Sequence, residues 1–162
     1  MGNLRRAPRA VLIGLVVALV AIAVAATTAT GADPKGANGT VKIDGKPFDT
    51  HPNNQPHVGC VFQVDFYGFD QGPFNARVTF TIQPPSGKGR VIRRDTVFVG
   101  EDAAGGGTDL DAERTYDLNM DVFSWERHKQ GFHIKLTVEA PGRGGKIATK
   151  HKVFWARDCI DP

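Results

Sequence analysis

Phe132-His133-Ile134-Lys135-Leu136-Thr137-Val138-Glu139 (FHIKLTVE) puts an apolar side chain at every even position and a polar one at every odd position. Side chains on a strand alternate between faces, so this period of two describes a strand with one buried face and one solvated face. The same pattern recurs on both sides of it. Cys60, Phe62, Val64 and Phe66 alternate with Gln63 and Asp65, and Val78, Phe80 and Ile82 alternate with Arg77, Thr79 and Thr81. Val41 with Ile43, Tyr116 with Leu118 and Met120, and Val153 with Trp155 form shorter sets; Val91–Val99 reads as a strand with a break at Arg93-Arg94-Asp95. Asp44-Gly45, Pro84-Pro85-Ser86-Gly87 and Pro141–Gly145 punctuate these runs with turn chemistry. No long helical period interrupts them; a single turn of helix fits Asp121–Gln130. Short strands at close spacing predict an all-β fold, an Ig-like antiparallel β-sandwich of about seven strands over residues 40–159.

Upstream, the chemistry changes. Arg5, Arg6 and Arg9 precede an uninterrupted apolar run from Ala10 to Ala26, and small residues follow it to Ala32. A basic start, an apolar stretch and a small-residue exit is the layout of a secretory signal. Residues 1–32 therefore read as a signal peptide or, if uncleaved, an N-terminal membrane anchor helix that touches the bilayer only through residues 10–26. Residues 33–39 (DPKGANG) read as a linker. The expected address is secreted or cell-surface, with a single-pass N-terminal anchor as the alternative.

Export changes the charge balance. The chain has 20 Lys plus Arg against 17 Asp plus Glu. Arg5, Arg6 and Arg9 lie in the leader, which contains no acid, so the domain carries 17 of each. A neutral domain lacks the basic footprint that phosphate binding demands, which argues against a nucleic-acid partner. The order of the charges is uneven, however. Asp95–Asp121 holds eight acids and one base, and Arg127–Arg157 holds eight bases and one acid. Side-by-side strands that neutralise each other are the expected arrangement; two opposite patches suited to an envelope polymer, a partner or self-association are the alternative.

The chain has two cysteines, Cys60 and Cys159. In an oxidising compartment such a pair is expected to be bridged. Parity supports this: Cys60 shares a face with Phe62, Val64 and Phe66, and Cys159 shares parity with Val153 and Trp155, so both thiols are expected to enter one core.

Sites for chemistry are sparse. His51, His57 and Cys60 carry metal-ligand spacing, but a disulfide sulfur is no ligand, and two histidines alone do not make a zinc site. Asp109, Asp111 and Glu113, in the acidic glycine-rich segment Gly100–Glu113, offer oxygen ligands for a divalent cation such as calcium. Tyr67, Phe69 and Trp125 flank loops where exposed aromatics can stack on sugars or enter an interface. No nucleophile elbow, zincin motif or phosphate loop is present, so no catalytic residue, enzyme activity or cofactor is expected.

Pro56-His57-Val58-Gly59-Cys60 through Asp65-Phe66-Tyr67-Gly68-Phe69, Gly100-Glu101-Asp102 with its glycine run, and Lys150–Trp155 before Cys159 resemble a group of exported single-domain proteins from high-GC Gram-positive bacteria. The resemblance covers most of the domain. It implies a host type and a surface or secreted address, and it carries over no activity or catalytic residue. The combined expectation is a secreted or surface-tethered, non-catalytic interaction or structural module of the cell envelope, whose partner is an envelope protein or polymer. The alternative is a small-ligand binder for a divalent metal or a glycan.

Overall fold

The computed structural model describes residues 35–50, 52–106 and 108–160; residues 1–34, with the proposed leader helix, lie outside them. Eight strands form two sheets. The smaller sheet has the order β1 (Thr40–Gly45), β3 (Val61–Tyr67), β6 (Leu110–Asp117), and the larger has β2 (His57–Gly59), β8 (Ile147–Arg157), β7 (Phe132–Pro141), β4 (Asn75–Ile82), β5 (Arg90–Phe98). All pairings are antiparallel except β2 with β8, which run parallel along the edge of the larger sheet. The all-β two-sheet architecture follows from the alternating runs. β7 buries Phe132, Ile134, Leu136 and Val138, the even positions of the opening stretch.

The inner faces meet through aromatic rings. Phe62 of β3 packs against Phe80 of β4 at 5.8 Å and Phe154 of β8 at 4.9 Å, and Phe80 packs against Tyr116 of β6 at 4.7 Å. These edge-on contacts join the two sheets near their centre, where rings contribute most per residue to burial. On the open side a polar latch joins β5 to β6. Arg114 Nε and Tyr116 Oη each donate to Asp95 Oδ2 at 3.1 Å, while Arg93 donates to the Asp117 carbonyl at 2.8 Å and to Asp121 at 2.9 Å. Burial alone would push the Asp95 carboxyl up, but the Thr96 N–H, the Tyr116 hydroxyl and Arg114 outweigh it and hold it below its ordinary value.

Three local readings are corrected. Met120 does not extend a strand: β6 ends at Asp117, and Met120 is exposed on a one-turn helix, α1 (Asn119–Val122). The irregularity in β5 is a bulge at Ile92, left without a partner between Val91↔Thr81 and Arg93↔Phe80, rather than a break at 93–95. On β8 the inward residues are Ala148, Phe154 and Ala156, while Val153 is half exposed. The expected bridge Cys60–Cys159 is present, with Cα atoms 5.0 Å apart and both residues buried. Parity does not bring Cys159 there. Asp158 adopts φ +53°, and this left-handed residue turns the chain after Arg157 so that Cys159 points inward.

Candidate functional site

The outer face of the larger sheet is the most distinctive surface. Cross-strand register aligns Thr149, Glu139, Arg77 and Thr96 in one row, and His151, Thr137, Thr79 and Arg94 in the next. Val153 with Lys135 and Thr81 makes a third row, and His57, Trp155 and His133 a fourth. Arg77, Arg94, Lys135 and Arg157 supply four fixed positive charges to this face, against Glu139 alone, which pairs with Arg77 at 3.5 Å. That ion pair is largely exposed and contributes little to stability. Three histidines, His57, His133 and His151, stand among these cations.

Trp155 anchors the fourth row. Its ring stacks on His133 at 4.4 Å with 19° between planes, and His128 lies against it at 5.2 Å. His133 Nδ1 is 2.6 Å from the Pro84 carbonyl, which can only accept, so Nδ1 carries the proton. The turn, β7 and β8 together fix a flat aromatic platform at one end of a basic, threonine-rich sheet.

The acidic segment is elsewhere. β6 lies in the smaller sheet, and its outward Glu113 stands in register with Asp65 and Lys42. The expected neutralisation between the acidic segment Asp95–Asp121 and the basic segment Arg127–Arg157 therefore does not occur by strand pairing. The ion pairs formed by Asp95 and Asp121 are with Arg114 and Arg93, which belong to neither end of that basic segment. The acids of β6, Asp111, Glu113 and Asp117, belong to the smaller sheet, whereas β7 and β8 of the basic segment belong to the larger one, where Asp95 on β5 is separated from them by β4.

The candidate metal ligands do not converge. His51 lies outside the described residues, and His57 sits beside Trp155 on the far sheet. A bulge explains the rest. β3 and β6 slip register between Phe66↔Ala112 and Tyr67↔Leu110, leaving Asp111 unpaired. Its carboxylate turns to accept the Phe69 N–H at 2.9 Å, away from the face on which Glu113 lies. Asp109 accepts the Gly105 N–H at 2.6 Å. Among the described residues, no group of three or more His, Cys, Asp or Glu is placed to hold a metal ion.

Burial instead gives these acids unusual protonation. Desolvation, helped by Asp102 and Asp109 and opposed by the Phe69 N–H, raises Asp111 to about 7. Desolvation, with Glu113 and Asp44 nearby, raises Asp65 to about 6 against its hydrogen bond from Gln63. Asp65 Oδ2, Asp111 Oδ1 and the Tyr67 hydroxyl are buried without a hydrogen-bond partner. Tyr67 itself is pushed to about 12, by burial first and by Asp65 second.

The aromatic rim is likewise revised. Tyr67 and Phe69 are 1% and 2% exposed, so neither offers a ring to a ligand. Gly68, at φ +64°, makes the turn that sends Phe69 back onto Phe66. Trp125 remains accessible, half buried against the core at the mouth of a cleft beside the β4–β5 turn. Parity along β8 predicts Trp155 on the core face; its register beside His57 and His133 shows it as the platform residue. Among the described residues no helix is long and apolar enough to cross a membrane. No family model, curated protein or solved structure matches the chain.

Proposed function

We propose that this chain is an exported, non-catalytic binding module of the cell envelope, secreted or tethered through its N-terminus, that engages an anionic partner with the outer face of its larger sheet. The leader-like residues 1–32 and the Cys60–Cys159 bridge support export. The strand order supports an Ig-like reading: three strands in one sheet oppose four antiparallel strands in the order β8-β7-β4-β5, in which β4 and β7 are joined by a crossover and the β8 edge takes a short parallel strand. The bridge departs from the usual inter-sheet position, since it joins the residue after β2 to the residue two past β8.

Segregation of charge carries the binding reading. A neutral domain that gathers Arg77, Arg94, Lys135 and Arg157 on one flat face, with Trp155 at its end, has a directional field that its net charge conceals. Such a face attracts a polyanion and leaves the rest of the surface indifferent to it. The test is co-sedimentation of the native exported protein with envelope fractions. Arg94→Glu with Lys135→Glu should lower retention by about tenfold or more, as should about 1 M salt, where the screening length falls to roughly 3 Å. Lys42→Glu, on the other sheet, should leave it unchanged. Retention that ignores both the double variant and the salt would overturn the reading.

A further inference from the structure

We propose that the cleft between the β4–β5 turn and the segment after α1 binds a monosaccharide unit bearing a carboxylate or a phosphate. The cleft is separate from the sheet face, and the two readings stand or fall independently.

The space is about 410 Å³, within the range of small-ligand sites. Pro85, Lys88, Arg90, Trp125 and Glu126 line it. Trp125 provides an apolar wall that is held in place: its ring packs on the core, and its backbone N–H donates to Val122 at 2.9 Å. The opposite wall is equally fixed. Gly87 and Gly89 donate to the Gln83 and Ile82 carbonyls, each at 2.9 Å. The buried Ser86 hydroxyl accepts the His133 N–H at 3.0 Å and donates to the Gly131 carbonyl at 3.4 Å. These bonds fix the backbone from which Lys88 and Arg90 reach the rim.

Those two cations have no anionic partner among the described residues. Arg90 stands 6.0 Å from the Trp125 ring centre, at the outer limit of a cation–π contact, and its guanidinium fork meets no acceptor. With Glu126 as the one acid, the rim has an excess positive charge. The three features select one chemistry. The indole takes the apolar face of a pyranose ring, the fork of Arg90 with Lys88 takes an oxyanion substituent, and the Glu126 carboxylate accepts from ring hydroxyls. A neutral sugar leaves the cations unmatched, and a flat aromatic acid leaves Glu126 facing no donor. The other concavities are poorer candidates: one of about 230 Å³ is lined mainly by glycines and neutral side chains, and one of about 120 Å³ holds Arg77 already paired with Glu139.

The experiment uses the full chain carrying Trp155→Phe, which leaves Trp125 as the sole indole of the two tryptophans. Its fluorescence is titrated with glucuronate, glucose 6-phosphate, glucose and benzoate. A saturable change with either sugar acid, and none with glucose or benzoate, is expected; which acid responds identifies the oxyanion. Lys88→Gln with Arg90→Gln, both at exposed positions, should weaken binding by about tenfold or more while the melting temperature holds. The response should survive Arg94→Glu with Lys135→Glu, which tests only the sheet face. Equal responses to glucose and glucuronate, equal responses to benzoate and glucuronate, unchanged affinity in the Lys88/Arg90 variant, or no response at all would overturn the proposal.

Discussion

Asp111 is bulged out of register, 6% exposed, and retains one carboxylate oxygen without a partner. Its ordinary value of 3.8 rises to about 7, chiefly by desolvation. Between those values the native state holds a proton that the unfolded chain has released, so stability is greatest on the acid side and declines as pH rises through 7. Asp65, raised to about 6 by the same cause, acts in the same direction. Asp111→Asn keeps an acceptor for the Phe69 N–H and removes the charge. Thermal melts from about pH 4 to about pH 8 should show the variant more stable by about 1–2 kcal/mol at the alkaline end, with a flatter profile. A variant that is less stable than the native chain at pH 8 would show that the ionised carboxylate is compensated. Nothing in the residue types around Asp109, Asp111 and Glu113 announces this. Their alternate spacing suggests a shared face, and only the one-residue slip against β3 separates them.

At the scale of elements, the β5–β6 latch closes the side of the sandwich where no backbone ladder runs between the sheets. Asp95 is its hub, accepting from Thr96 N–H, Arg114 and the buried Tyr116 hydroxyl. Asp95→Ala strands the Tyr116 hydroxyl and should lower the unfolding free energy by about 1–3 kcal/mol in urea titrations, with Asp95→Asn costing less than half as much. Since the Asp95 carboxyl titrates below its ordinary value, its contribution is present at neutral pH and is lost only as the medium is acidified through that lowered value. Equal losses for the two variants would show that charge, not acceptance, matters at the hub. The elements themselves were largely readable from period-two patterning, because one-sided burial leaves a direct trace in residue order. Strand ends and breaks were not. The start of β6 at Leu110 lies in a segment whose acids and glycines resemble loop, since its outward face is acidic and its bulge disrupts the alternation. The outward placement of Val153 and Trp155 inverts their apolar character, because β8 presents small Ala148 and Ala156 with Phe154 to a core already filled by large rings.

For the whole molecule, the bridge spans 99 residues of sequence and ties the chain just after β2 to the chain just past β8, at the edge of the larger sheet. The chain-entropy model gives such a loop about 4–5 kcal/mol, a large part of the stability of a domain this size. Cys60→Ser with Cys159→Ser should move the urea midpoint down accordingly, and a loss under about 1 kcal/mol would mean that the open chain is already restrained. The parallel pairing of β2 with β8 has a further consequence, one of timing. β2 can find the one ladder partner it has among the described residues only when residues 155–157 have been delivered, almost a hundred positions after its own synthesis. Until then β7 shows a bare edge, and Cys60 has no thiol to meet. The seam of the larger sheet thus waits for residues 155–159, and the domain closes only where those residues and an oxidant are present together.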